Sequence, residues 1–288
     1  MLSYIHAFHA GNYADVLKHT VFAFTLEHLL KKDKPFTVID THSAGGKYSL
    51  NDERIIKTQE AENGIKKILS KDDETLKKIF GTNFLQILKT YTAQNEYPGS
   101  PEIARAYLRK TDQLILNELH PKVIEELKQN MASPLLTGKT ELPQIQINSK
   151  DAKIMLNSCL PPKIKRGCVI IDPSYEDKNE YAETAEMFIN AYRKWQTGTY
   201  LIWYPLLTDR DGEIQTFKQN VIATVEKTNT TQDEKCVFYE IEIKDKTETE
   251  GISKMYGSGM LVANPPYGLS EKMQAAIPLL KELLVKKN

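Results

Sequence analysis

The sequence predicts a doubly wound α/β protein built on a Rossmann-like parallel sheet. Three observations point there. From Leu114 onward, strand-like runs mostly alternate with helical periods. The run Cys168-Val169-Ile170-Ile171 is apolar throughout, as a parallel strand covered on both faces must be. Acids, glycines or prolines follow several of these runs, at the carboxyl ends where open α/β sheets gather their ligands.

The expected strands, in order, are Phe36 to Asp40, Gln113 to Asn117, Ile145 to Ile147, Gly167 to Asp172, Thr199 to Tyr204, Cys236 to Ile243 and Ser258 to Ala263. The expected helices are Val123 to Met131, Ala152 to Cys159, Ala182 to Trp195 and Ser270 to Leu284. Between Asn51 and Gln94 the pattern changes. Isoleucines and leucines recur at helical spacing among charged residues (Ile55, Ile56, Ile65, Ile68, Leu69, Leu76, Ile79, Leu85, Leu88), with no convincing strand. This stretch reads as a helical insert between the first strand and the turn Pro98-Gly99-Ser100-Pro101, giving a main domain of residues 1–49 and 97–288 and an inserted subdomain of residues 50–96. The last two strands should pair antiparallel at the sheet edge.

Composition narrows the class without naming a function. At 288 residues and 41% hydrophobic content the chain can bury a substantial core. It has neither a run of about 18 apolar residues nor an apolar segment behind a basic start, so no membrane span or signal peptide is expected and the cytoplasm is the default location. Cys159, Cys168 and Cys236 lack metal-ligand spacing and read as reduced thiols; no metal is expected. Lysine plus arginine equals aspartate plus glutamate at 38 each, so any contact with a polyanion must come from local patches. The candidates are Lys31-Lys32-Lys34, Lys66-Lys67, Lys77-Lys78 and Lys163-Lys165-Arg166, each also readable as a solvated face.

The fourth expected strand ends in Asp172-Pro173-Ser174-Tyr175. These residues resemble the D/N-P-P-Y/F motif of methyltransferases acting on exocyclic amino groups of adenine or cytosine. An arylamine nitrogen is a poor nucleophile because its lone pair is delocalised into the ring. A site that methylates it must accept its N–H hydrogens and draw it towards tetrahedral geometry. Asp172 and the Pro173 carbonyl would be those acceptors, and Tyr175 would stack on the base. Other strand ends add to this. Asp40-Thr41-His42-Ser43-Ala44-Gly45-Gly46 makes a small-residue loop after the first strand, Glu118 follows the second as a candidate ribose ligand, and Asp151-Ala152 follows the third. The loop has neither dinucleotide-fingerprint nor P-loop spacing. Asn264-Pro265-Pro266-Tyr267 is a more literal copy of the amino-methyltransferase motif and is a rival, although it follows the last edge strand and also reads as a structural turn.

Taken together, Met1-Leu2-Ser3-Tyr4, the block from Phe8 to Thr20, Asp40-Thr41-His42, Tyr97 to Pro101, Glu118 to Pro121, Asp172-Pro173 with Tyr175, and Trp203-Tyr204-Pro205 resemble the bacterial 23S rRNA (adenine-N6) methyltransferase J family across essentially the whole chain. The resemblance implies a methyltransferase sheet with a helical insertion after the first strand. It implies S-adenosylmethionine bound by His19, His42, Ser100, Glu118, Asp151, Ala152 and Asp172. It also implies catalysis by Asp172 with Pro173 and Tyr175, and a substrate base met by Tyr4, Lys18 and Tyr175. The expected partner is free or early-assembly 23S rRNA, with a monomeric enzyme. Lys18 and the histidines also admit purely structural readings. Alternatives are DNA adenine methylation, whose motif chemistry is the same, and a non-catalytic nucleic-acid-binding role in the use of external DNA, with which the family has also been associated. Two departures stand out. Ser174 replaces the family's second proline, which should loosen the placement of Tyr175, and Ser43-Ala44-Gly45-Gly46 replaces a loop closer to Ala-Gly-Ala-Gly.

Overall fold

A computed structural model of the chain describes residues 5–228, 234–246 and 254–285. Helix α1 (Tyr13–Leu30) leads to strand β1 (Thr37–Asp40) and a short strand β2 (Lys47–Ser49). Helices α2 (Glu53–Thr58), α3 (Lys67–Leu69) and α4 (Asp73–Thr92) follow, with a π-helical turn at Glu62–Lys66, and β3 (Glu96–Pro98) returns antiparallel to β2. Helices and strands then alternate: α5 (Ser100–Tyr107), β4 (Gln113–Asn117), α6 (Val123–Ala132), β5 (Gln144–Asn148), α7 (Ala152–Cys159), β6 (Gly167–Ile171), α8 (Glu180–Lys194), β7 (Thr199–Leu207) and α9 (Asp211–Glu226). The chain closes with β8 (Cys236–Glu242), β9 (Met255–Ala263) and α10 (Leu269–Leu284).

Seven strands form one sheet in the order β5-β4-β1-β6-β7-β9-β8. The first five are parallel, and β9 runs antiparallel between β7 and β8. The chain starts in the middle at β1, winds outward to β5, and returns to β6 on the other side of β1. That reversal opens a crevice between the carboxyl ends of β1 and β6.

The strand pleat divides the core. Val38, Leu116, Cys168, Ile170 and Leu201 face one side, while Ile39, Ile115, Val169, Ile171 and Ile202 face the other. The second face packs against Met155, Phe188, Tyr192, Phe217 and Val221 from α7 to α9. The first face is covered by α1, and the same apolar cluster continues without a break into Ile65, Ile68, Ile79, Phe80, Phe84 and Leu88 of the 53–92 helices. That helical layer therefore packs onto α1 and α10 and shares the core of the sheet.

The expected strands and helices lie where the sequence put them, within a few residues. Three helices absent from that reading are α1, α5 and α9, α5 following the Pro98-Gly99 turn directly. α1 is buried nearly all round, including Asp15, Lys18, His19, Thr20 and Thr25, so it carries no apolar stripe of helical period. α9 does carry one, through Ile214, Phe217, Val221 and Val225. Among the described residues no helix is long and apolar enough to cross a membrane.

Candidate active site

The crevice between β1 and β6 opens into a cavity of about 720 Å³, within the roughly 300–1,000 Å³ usual for small-ligand sites. Four strand-end loops line it: Thr41 to Ala44 after β1, Asn117 to His120 after β4, Asp151 to Lys153 before and in α7, and Asp172 to Ser174 after β6. α1 adds Lys18 and His19, and the start of α5 adds Gly99 and Ser100. A smaller cavity of about 200 Å³ adjoins it, lined by His9, Asn12, Asp15, Tyr175 and Trp203 among others. The two share His6, Lys18, Asp172 and Ser174.

Backbone stitching holds the loops in place. The Ser43 N–H donates to the Asn117 carbonyl (2.8 Å), the Asn117 N–H donates back to Ser43 Oγ (3.1 Å), and the Gly99 N–H donates to the Gly46 carbonyl (2.8 Å). A Cβ at Gly99 would lie 2.8 Å from that carbonyl oxygen, so glycine is required for the approach. Glu118 accepts the Ala44 N–H at 2.9 Å and the His120 N–H at 2.7 Å, which fixes its carboxylate at the cavity wall while burial raises its pKa. Asp40, fully buried, accepts from Ser100 Oγ (2.7 Å) and the His42 N–H (3.2 Å); burial pushes its carboxyl up to about 7.

Both histidines are neutral near pH 7. Burial takes His42 down to about 4 and His19 down to about 3. His42 Nδ1 lies 2.8 Å from Thr41 Oγ1 and accepts the Asp172 N–H at 3.4 Å. His19 Nδ1 is 2.8 Å from the Tyr97 hydroxyl. Its Nε2 is buried with no hydrogen-bond partner among the described residues. Asp15 Oδ1 lies 3.9 Å from it, beyond hydrogen-bond reach.

At the junction of the cavities a chain of charges runs through the protein. Lys18 Nζ lies 2.7 Å from Asp15 Oδ1 and 2.5 Å from Asp172 Oδ2. Burial alone would strip the ammonium of its proton, but the two carboxylates outweigh burial and raise the Lys18 pKa. Asp15 is itself held by His6 Nε2 (3.0 Å) and the Gly11 N–H (2.9 Å); despite full burial its pKa is well below the usual carboxylate range because His6, Lys18 and His19 surround it. Asp172 Oδ1 carries no hydrogen bond among the described residues.

Beyond Asp172, Tyr175 adopts a left-handed backbone (φ 53°), which is strained for an aromatic residue. Its hydroxyl donates to the Trp203 carbonyl (2.9 Å), and its ring packs 4.6 Å from Tyr181 and 5.6 Å from Trp203. Ser174 Oγ reaches Glu180 Oε1 at 3.4 Å, a long contact.

Of the residues singled out in the sequence, His19, His42, Ser100, Glu118, Asp151, Ala152 and Pro173 border the large cavity, Tyr175 the small one, and Lys18 and Asp172 both. Asp151 also caps α7 by accepting the Ile154 N–H (3.0 Å). Tyr4 lies outside the described residues. Asn264 is elsewhere. Ala263 pairs with Tyr200 at the start of β7, which puts Asn264 at the opposite end of the sheet from Asp172. Arg166 donates to the carbonyls of Lys34 (2.8 Å) and Leu29 and so braces the turn into β1. Sequence reasoning missed Asp15, Asp40, His6 and Tyr97; the signal for Asp15 was its place one helical turn before Lys18.

A Rossmann-like sheet with its cavity at the switch point defines the class, an α/β methyltransferase fold. The family model described as "Ribosomal RNA large subunit methyltransferase D, RlmJ" matches residues 33–288. The chain is 35% identical over 289 residues to ribosomal RNA large subunit methyltransferase J of Escherichia coli, covering 99% of this chain and 95% of that one. It is 34% identical over 288 residues to the protein of the same name in Haemophilus influenzae, with the same coverage. A crystal structure of a Legionella pneumophila protein superposes with a TM-score of 0.78 at 31% identity, covering 96% of this chain and 94% of that one. The chain belongs to this family of ribosomal RNA large subunit methyltransferases. Its cofactor is S-adenosylmethionine.

Proposed function

We propose that the chain methylates the N6 amino group of an adenine in 23S rRNA. The observation that carries this reading is the carboxylate of Asp172, which stands where the two cavities meet with Oδ2 engaged by Lys18 and Oδ1 open. An open carboxylate oxygen and the neighbouring Pro173 carbonyl are acceptors suited to an amino group with two hydrogens. Accepting them localises the nitrogen lone pair and lets it act as a nucleophile.

The remaining residues support a division of labour. The large cavity suits the cofactor, with Glu118 for the ribose hydroxyls, Asp151 and Ala152 towards the adenine, and His19, His42 and Ser100 along the wall. The small cavity suits a target base taken out of its stack, with Tyr175 and Lys18 in its wall; the family resemblance adds Tyr4 as a further residue for the base. When bound, S-adenosylmethionine supplies a methyl group on a sulfonium, which leaves without acid assistance. Lys18, held as an ammonium by Asp15, fixes the orientation of Asp172 and keeps its Oδ2 occupied. Positioning therefore dominates over proton transfer. The proton displaced from the amino group leaves to solvent.

Residues 50–96 serve in this reading as a helical insertion of the methyltransferase domain, the enzyme works in the cytoplasm as a monomer, and the RNA is protein-free or early in assembly. The test is mass analysis of nucleosides in 23S rRNA from a strain lacking the gene: one N6-methyladenosine should disappear and return with the wild-type gene. Loss of a differently modified nucleoside would refute the assignment to N6. Dependence on the substrate 2′-hydroxyls separates RNA from DNA as substrate.

A further inference from the structure

The wall of the smaller cavity includes His9 and Asn12, and both are held from outside by the helical layer. Glu60, in the corner after α2, takes one with each carboxylate oxygen: His9 Nδ1 lies 2.9 Å from Oε1, and Asn12 Nδ2 donates to Oε2 at 2.9 Å. Two further bonds fasten the same stretch. Thr58 Oγ1 donates to the Phe8 carbonyl (2.7 Å), and the Ile65 N–H donates to the Gly11 carbonyl (2.9 Å). A Cβ at Gly64 would lie 2.2 Å from the Gly11 oxygen, so this backbone contact is open only to glycine. Glu60 itself borders neither cavity.

We propose that Glu60 is a substrate-positioning residue: acting from the helical layer through His9 and Asn12, it sets the wall against which the target base is seated. The proposal rests on the reading of the small cavity as the base site. Asn12 shows why orientation is at stake. Its Oδ1 accepts the Asp15 N–H (2.9 Å) as the N-cap of α1, so its Nδ2 must point away from the helix, and Glu60 is the acceptor that fixes it there. The side chains of His9 and Glu60 are 38% and 33% exposed, so their pairing contributes little to stability. A loss of geometry at the wall should therefore appear in substrate affinity before it appears in folding.

The test measures kcat, KM for protein-free large-subunit rRNA and cofactor Kd in a set of variants. Glu60→Ala should raise KM about five- to tenfold with kcat within about twofold and cofactor Kd unmoved. Asn12→Asp keeps the helix cap but turns a carboxylate towards Glu60, and should raise KM by at least as much. Glu60→Gln alone should stay within about twofold of wild type, since it still accepts from Asn12. Adding Glu60→Gln to Asn12→Asp restores a donor to that carboxylate and should recover most of the lost affinity. An unchanged KM in Glu60→Ala, or failure of the double variant to recover, overturns the proposal while the wild type methylates normally. A wild type that binds cofactor and methylates no RNA overturns instead the reading on which the proposal rests.

Discussion

Asp172-Pro173-Ser174-Tyr175 and Asn264-Pro265-Pro266-Tyr267 are nearly the same words written at opposite ends of one sheet. Each turn contains one residue with φ 53°, Tyr175 in the first and Asn264 in the second. Asparagine tolerates the left-handed region and tyrosine does not, so the strain sits in the Asp172 turn. The polar groups are used differently too. Asn264 spends its side chain on the protein: Nδ2 donates to the carbonyls of Gln196 and Gly198 (2.8 Å each), and Oδ1 accepts from the Tyr192 hydroxyl (3.2 Å). Asp172 leaves Oδ1 without a hydrogen bond among the described residues, beside two cavities. Tyr267 is 85% exposed, whereas Tyr175 is buried and meets Trp203 edge to face. The strand before each turn decides this. β6 runs parallel and delivers its turn to the switch point, while antiparallel β9 delivers its turn to the far end.

The largest expected effect is that Asp172→Ala lowers the rate of methyl transfer by about 10³-fold or more, equivalent to at least ~4 kcal/mol of transition-state stabilisation, with cofactor affinity within a few-fold by calorimetry. Lys18 keeps Asp15 as a partner, so the variant should fold. A variant that keeps a tenth of the wild-type rate would remove Asp172 from the chemistry. Next, Glu118→Ala should weaken cofactor binding by roughly tenfold to a hundredfold, as expected for loss of a charged hydrogen-bond acceptor; unchanged calorimetric affinity would show that the ribose is held elsewhere. Asn264→Ala should leave kcat within about twofold but destabilise the fold by about 2–3 kcal/mol, because its bonds to the Gly198 carbonyl and the Tyr192 hydroxyl are buried. Denaturant unfolding tests this, and a catalytic defect without destabilisation would break the contrast between the two turns.

Acid sensitivity should be concentrated at the Asp172 end. His19 and His42 titrate at about 3 and about 4 in the folded chain, against about 6.5 when unfolded. The unfolded chain therefore binds more protons between those limits, and stability falls as pH drops below 6.5. Asp40, raised to about 7, acts in the opposite direction between pH 7 and 3.8. Comparison with a His19→Gln/His42→Gln variant isolates the histidine contribution, and the variant should lose less stability than wild type between pH 6.5 and 4.5. Equal losses would show that these histidines are not kept neutral by burial. Ser174→Pro is the smallest expected change. Its 3.4 Å contact to Glu180 is weak, so the rate of transfer should hold or rise modestly as the turn stiffens, and a clear loss in single-turnover methylation would assign the serine a direct role.

How much of this was legible before the coordinates depended on how local the signal was. β6 and its turn could be read because a buried parallel strand and a proline turn are contiguous in sequence. The helices at 53–92 could be read because one face of each is wet. α1 could not, because a helix buried all round loses its period, and that helix contributes Lys18 and His19 to the site. Asp15 and Asp40 lie inside the motif blocks but received no role of their own, for a related reason. Their importance comes from partners distant in sequence, Asp15 meeting His6 and supporting Lys18 opposite Asp172, and Asp40 meeting Ser100. The two proline turns could be told apart only by strand direction, which composition does not record.

The most direct measurement is the identity of the product formed when purified protein, labelled S-adenosylmethionine and unmodified 23S rRNA are combined and the RNA is digested to nucleosides. Wild type and Asn264→Ala should both yield labelled N6-methyladenosine, and Asp172→Ala none. Label on another nucleoside, or product from Asp172→Ala but not from Asn264→Ala, would contradict the account.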